Sequence, residues 1–377
     1  MFPILYRSNT LDFKYNGLGF IKNCTKCIVT EVRNGLYELE ADVLTDDRLA
    51  QQIGVGMFLK VKANSYDDLQ LFEIYSLSIT EYVITIKAQH IRYIFGGNVL
   101  SDLLINNPMT PQQIWNTIQS QSLLELPNSF TFYSDITTES TMSLGNDPIR
   151  LGDFFSGAKG SVLDIFGGEF HYDNFKIELL KNRGTQTGIA LRYGSNISTY
   201  KQDSDSSTVY SHLLPIAYVK GKNENNEDAG EYRIYHELMH LDDEGLTYKR
   251  ALVYDFSDDF SNDVLEISNG VPTSESWNSL VSKLGSVAQK YITRNKSQLI
   301  EPSVNITVDV AETLKNLDKC KLCDSILVYF TPFDFKTTAK IVKTEYDVLL
   351  EKYNKIELGT IKKSIADLFS GKNIGGV

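Results

Sequence analysis

The chain has 377 residues, of which 42% are hydrophobic and 23% are charged, so it can form two to four domains with sizeable apolar cores. Its 48 acidic and 37 basic residues leave a net charge of −11, which argues against a protein that grips nucleic-acid phosphates. No run of about 18 apolar residues occurs, and the first residues lack the basic and apolar regions of a signal peptide. We therefore expect that the chain has no membrane span and that it is synthesised in the cytoplasm.

Residues 1–100 predict a series of β-strands, with Asn34 and Gly35 at a two-residue hairpin turn between two β-prone segments. The next hundred residues mix helices and strands. Thr110 and Pro111 have the residue types of a helix start, and residues 161–166 predict a short helix that ends at the following glycine pair.

Strands return after residue 197, and a long amphipathic helix is predicted after Thr273 or Ser274, because apolar residues recur at helical spacing up to Tyr291. The remaining chain is again rich in strands. We expect a β-dominated α+β protein of several domains. The predicted segments are a β-barrel-like domain (1–100), an α+β domain (101–196), a second β-barrel-like domain (197–262 with 302–364), a helical segment (263–301) and a tail (365–377).

The stretch HELMH, residues 236–240, matches the H-E-x-x-H pattern of zinc peptidases. In that pattern His236 and His240 would hold zinc and Glu237 would act as the general base. The flanking residues favour a strand instead, on which His236, Leu238 and His240 share one face and Glu237 points to the other. A zinc peptidase, or a cell-wall-degrading protein that uses this motif, therefore stays an alternative only.

Two C-x-x-C pairs, Cys24 with Cys27 and Cys320 with Cys323, could together supply four thiolates to zinc. They are nearly 300 residues apart, which is far from the usual spacing of such sites. Buried free thiols are the simpler interpretation, and we expect no cofactor.

Nine stretches follow one another along the chain in this order: NGLGFI (16–21), VTEVRNGLYELE (29–40), LQLFEIY (69–75), KAQHIRY (87–93), KGSVLDIFGGEFHYDNFKIELLKNRG (159–184), RYGSNI (192–197), YDFSDDF (254–260), SVNITVDV (303–310) and TEYDVLLEKYNKIELGTIK (344–362). In this order they resemble the N-terminal module of tail-associated proteins of long-tailed phages of Gram-positive bacteria. This family is often labelled prophage endopeptidase tail, and its fold is similar to that of the baseplate hub proteins of contractile-tailed phages. We interpret several positions within or near these stretches as structural turns: Asn34, Gly35, Gly167, Gly168, Arg183, Gly184, Gly194 and Gly359.

The resemblance implies a homotrimeric hub in the virion, at the tail tip, docked under the ring of distal tail protein. Its lumen would continue the tail tube, and the tape measure protein and DNA would pass through without specific DNA binding. Receptor-binding proteins of the baseplate are further implied partners. Many relatives carry a C-terminal hydrolase or fibre, for which we expect no room after the tail segment. The 21 tyrosines also suit a receptor- or glycan-binding tail module, which remains a second alternative.

Overall fold

The computed structural model describes residues 1–46, 48–100, 104–119, 124, 130–143, 148–157, 160–192, 197–205, 207, 209–241, 249–300, 303–310, 320–330 and 335–359. The chain divides into two compact units. Unit 1 consists of Met1–Gln202 with Asn305–Val377, and unit 2 of Asp203–Val304. None of the described helices is long and apolar enough to cross a membrane.

Strands dominate the described chain. In chain order they are β1 (Ile4–Tyr6), β2 (Gly19–Phe20), β3 (Cys24–Val32), β4 (Tyr37–Leu44), β5 (Phe58–Val61), β6 (Gln70–Ile79), β7 (Val83–His90), β8 (Val99–Leu100), β9 (Leu104–Met109), β10 (Thr131–Ser134), β11 (Ser140–Ser143), β12 (Ile149–Arg150), β13 (Glu169–Asp173), β14 (Lys176–Leu180), β15 (Gln186–Arg192), β16 (Ile197–Asp205), β17 (His212–Asn223), β18 (Asp228–Tyr235), β19 (Met239–His240), β20 (Ala251–Asp255), β21 (Val264–Ser268), β22 (Val271–Pro272), β23 (Ser303–Val310), β24 (Ser325–Phe330), β25 (Phe335–Asp347) and β26 (Lys352–Gly359).

Helices are fewer and mostly short. They are α1 (Arg92–Gly96), α2 (Pro111–Ile118), α3 (Val162–Phe166) and α4 (Ser274–Ile300), together with 3-10 turns at Ala50–Gln52 and Ser257–Phe260 and a π-helical turn at Asp153–Gly157. The predicted start of α2 is confirmed, because the Thr110 hydroxyl accepts from the Gln113 amide and Pro111 is the first helical residue. The predicted start of α4 is also confirmed, since the Thr273 hydroxyl accepts from the Ser276 amide.

Most of unit 1 is built around one large sheet with the strand order β16-β23-β26-β25-β3-β4-β7-β6-β5-β1-β2, to which β24 and β15 add beside β25. β3 and β25 pair antiparallel in the middle, with Thr344 opposite Glu31. Strands from residues 1–100 and from residues 302–364 therefore share one sheet. Smaller sheets of unit 1 pair β9 with β11, β8 with β12, and β14 with both β10 and β13.

One apolar core runs through much of unit 1. Alternate residues of β4 are buried, as expected for a strand with one face in a core. Buried Leu39 and Ile86 of the large sheet belong to the same cluster as Trp115, Phe154 and Phe170 of the α+β region. The barrel-like and α+β segments predicted from the sequence thus pack on a shared core, and the division into five segments stays a prediction.

Unit 2 is a six-stranded sheet covered by α4. The sheet has the order β18-β17-β21-β22, and β19 and β20 also pair with β17. Leu280, Leu284 and Ala288 of α4 pack in one cluster with Leu213 and Ala217 of β17. The odd-numbered residues of β17 from 213 to 219 therefore face the helix, and the even-numbered ones face the other side of the sheet. The β-dominated α+β class is confirmed.

Candidate functional site

The H-E-x-x-H stretch is not helical. β18 ends at Tyr235, residues 236–238 form no regular element, and only Met239 and His240 return to the sheet as β19. Zinc binding by this motif needs both imidazoles on one side of a helix, so the required arrangement is not formed. The prediction of one continuous strand over residues 236–240, with side chains on alternate faces, is also wrong, because the chain leaves the sheet between Tyr235 and Met239.

His236 and His240 face different sides of the unit 2 sheet. The His236 amide donates to the Pro215 carbonyl. Pro215 is one of the odd-numbered residues of β17, which face α4. The His236 ring lies so close to Gly285 of α4 that an added Cβ there would be 2.7 Å from Nε2. His240 is instead directly opposite His212 of β17, on the other face. Their ring centroids are 5.3 Å apart.

An open groove of about 700 Å³ runs along α4 beside His236. It is lined by His236, Met239, Ser282, Gly285, Ser286, Gln289, Lys290 and Thr293. Glu237, the predicted general base, is not among the residues that line it. The groove therefore does not bring a carboxylate and two imidazoles together.

The four cysteines are free and buried. Cys24 and Cys27 lie on β3, where a bulge between Cys24 and Lys26 turns both side chains toward the core. Burial raises the pKa of the Cys27 thiol, and burial followed by the nearby Glu169 carboxylate raises the pKa of Cys323 to about 12. Such thiols are poor nucleophiles and poor metal ligands at neutral pH. Within the described residues, no group of three or more His, Cys, Asp or Glu side chains could hold a metal ion.

Two of the predicted turn positions, Asn34 and Gly168, meet in unit 1. Asn34 has a φ of 56°, and the Gly35 amide donates to the Val32 carbonyl, so the turn centres on Arg33 and Asn34 rather than on Asn34 and Gly35. The Asn34 side chain then donates to the Gly168 carbonyl and accepts from the Phe170 amide, at 3.0 and 2.8 Å. This residue both turns the β3–β4 hairpin and fixes it to the start of β13.

The other predicted turn positions have distinct surroundings. Gly167 and Gly168 follow α3 with φ values of 67° and 98°. Gly184 touches the backbone of Cys323 so closely that a Cβ would lie 2.0 Å from its carbonyl oxygen. Gly359 is the last residue of β26 and pairs with Lys340. Gly194 lies outside the described residues.

Arg183 is the centre of a buried ionic network in unit 1. Its guanidinium donates to Glu31 Oε1 at 2.7 Å and to the Phe170 carbonyl at 3.2 Å, and its amide donates to Glu169 at 2.8 Å. Glu169 also pairs with Lys340 of β25 at 2.6 Å. Burial alone would lower the pKa of Arg183, but the Glu31 carboxylate outweighs it and holds that pKa well above its ordinary value. The network joins β3, β13 and β25.

His171 of β13 bridges two carboxylates. Its Nδ1 lies 2.8 Å from Glu178 Oε2 of β14, and its Nε2 lies 3.2 Å from Asp67 Oδ2 in the loop before β6. Both nitrogens can donate only when the ring is an imidazolium. Burial alone would lower the pKa of His171, but the hydrogen bonds with Asp67 and Glu178 raise it overall. No local sequence pattern predicts this contact, since Asp67 is 104 residues away.

The family model described as prophage endopeptidase tail matches residues 185–369. The prophage tail protein gp18 of Listeria monocytogenes EGD-e matches with 17% identity and a TM-score of 0.60, covering 98% of each chain. The predicted resemblance to phage tail-associated proteins is confirmed.

Two further solved structures share the fold of this chain. The tail protein of Neisseria meningitidis MC58 has 9% identity and a TM-score of 0.56, covering 90% of this chain and 92% of its own. The 43 kDa tail protein of prophage MuSo2 from Shewanella oneidensis has 12% identity and a TM-score of 0.52, covering 96% and 98%. At these identities the comparison establishes the fold. No sequence among curated proteins matches the chain.

Proposed function

We propose that this phage tail protein is the structural hub of the tail tip. Three copies would cap the tail tube beneath the ring of distal tail protein and open for passage of the tape measure protein and DNA. The observation that carries the proposal is a fold shared over 98% of both chains with a solved prophage tail protein. The buried network around Arg183 supports it, because its contacts join strands of the scaffold.

The hub would work without catalytic turnover, although the description of the matching family includes the word endopeptidase. In the described residues the H-E-x-x-H stretch has no helix, and the sheet separates His236 from His240. The geometry therefore offers no support for a zinc peptidase that uses Glu237.

The proposed location is the tail tip of the virion, after synthesis and assembly in the host cytoplasm. Neighbours would be the distal tail ring, the tape measure protein and the receptor-binding proteins of the baseplate. The net charge of −11 supports passage of DNA without specific contacts, because like charges keep the phosphate backbone from adhering.

Light scattering of the purified chain, alone and with the distal tail protein of the same phage, tests the proposal. The expected result is a complex that contains three copies of the 42.6 kDa chain on the distal tail ring. A chain that stays monomeric in both samples would contradict the trimeric hub.

A further inference from the structure

His212 and His240 are placed as side chains that can share a ligand. The Leu241 amide donates to the Ser211 carbonyl at 2.9 Å, which makes the His212–His240 pair a non-hydrogen-bonded pair of antiparallel strands. Opposing side chains approach most closely in such pairs. The two ring centroids are 5.3 Å apart with an interplanar angle of 80°, and both rings reach solvent.

A hydroxyl group lies next to the His212 ring. The hydroxyl oxygen of buried Ser211 is 2.9 Å from His212 Nδ1 and accepts from the Arg250 amide at 3.0 Å. A hydrogen bond at one ring nitrogen holds the ring in place, as such bonds commonly do for metal-bound histidines.

We propose that His212 and His240 form a two-imidazole site on unit 2 for a late first-row divalent cation such as Zn²⁺. Neutral imidazole suits these cations and not Ca²⁺ or Mg²⁺, which prefer oxygen ligands. Water would complete the coordination, because no third His, Cys, Asp or Glu side chain of the described residues joins the pair. The site uses one histidine of the H-E-x-x-H stretch and replaces the other with a histidine from the neighbouring strand.

Metal at this site would join β19 to β17. β19 has only two residues and pairs with β17 through two positions, so a shared cation would hold this segment on the sheet. Any cation that binds the folded state alone also stabilises that state by mass action. The inference concerns unit 2 by itself and does not depend on the proposed role in the tail.

Zinc titration of the untagged, chelator-treated full chain tests the proposal by calorimetry. We expect one saturable site in the wild-type chain. His212→Gln and His240→Gln should each weaken zinc binding more than about tenfold, as expected for loss of a ligand. His236→Gln and Glu237→Gln are the matched controls and should bind zinc like the wild type. Zinc should raise the thermal unfolding midpoint in the wild type and in the two controls only.

Each other outcome overturns the proposal. Absence of saturable binding up to about 1 mM zinc would do so. Equal losses in His236→Gln and His240→Gln would restore the H-E-x-x-H interpretation, and binding removed only by blocking thiols would assign the metal to the cysteines. Circular dichroism checks that each variant is folded. If His212→Gln does not fold, exposed His240 decides the question, since its replacement leaves the Ser211 hydrogen bonds intact.

Discussion

Arg183 and Glu31 place opposite charges in the interior of unit 1, 2.7 Å apart and each with 6% of the side chain exposed. A buried charge that loses its partner is costly, although the intact pair adds little net stability. Removal of one of the two charges should therefore cost far more stability than the intact pair contributes.

Replacing Arg183 with Met should lower the free energy of unfolding by about 3–5 kcal/mol, because Glu31 would remain buried without a counter-ion. Chemical denaturation of the full chain measures the change. Lys26→Met is the control, since the Lys26–Glu40 pair is 45% and 46% exposed and should contribute less than about 1 kcal/mol. Equal effects of the two substitutions would show that the Arg183 network is not a special determinant of stability.

His171 makes the stability of unit 1 depend on pH. Its pKa is raised in the folded state, so its contribution is complete below the unfolded pKa of about 6.5 and is lost as the pH rises through the folded value. Burial would raise the pKa of Asp67, but its hydrogen bond with His171 lowers that pKa overall. The pKa of Glu178 is also lowered despite burial, first by its hydrogen bond with Lys176 and then by the one with His171. Their contributions are present above the unfolded values of about 4 and are lost in acid. Arg183 faces the same cluster and opposes protonation of His171.

We therefore predict that this cluster contributes most to stability between about pH 5 and 6.5. In His171→Gln the free energy of unfolding should fall less steeply above pH 6.5 than in the wild type. Denaturation at a series of pH values measures both slopes. Identical slopes for the two proteins would mean that His171 is not the titrating group.

Among the elements, α4 stabilises unit 2 through one face. Leu284 is completely buried among strand residues of that unit, while Ser286, half a turn away, is exposed. Leu284→Ala should cost about 2–5 kcal/mol through lost burial and the cavity left behind. Hydrogen exchange should show weaker protection of α4 and β17. Ser286→Ala should change stability by no more than about 0.5 kcal/mol, and an equally large effect there would contradict this packing.

Local chemistry predicts the helix starts, because a cap at Thr110 or Thr273 depends on residues within one turn. It also predicts the β3–β4 hairpin, whose turn centres one residue earlier than expected. The pairing of β3 with β25 could not be predicted in the same way, since its register depends on contacts about 300 residues apart. The candidate sites follow the same rule. The H-E-x-x-H spacing groups His240 with His236, but its neighbour in space is His212 of β17, which lies outside that segment.

At the scale of the whole molecule, the charge is unevenly distributed. Residues 203–304 contain 17 acidic and 9 basic residues, a net charge of −8 out of the total of −11. A protein with this balance should not hold a phosphate backbone. Fluorescence anisotropy with a labelled DNA duplex should show no binding tighter than about 1 µM at physiological salt. Tighter binding that weakens with added salt would contradict passage of DNA without adhesion.

The proposed function is that of a trimeric hub at the tail tip. Cryo-electron microscopy of the tail tip of the phage that encodes the chain tests this proposal. We expect three copies around the tube axis, directly below the ring of distal tail protein. A map in which the chain is absent from the virion, or attached singly at the periphery of the tail, would contradict it.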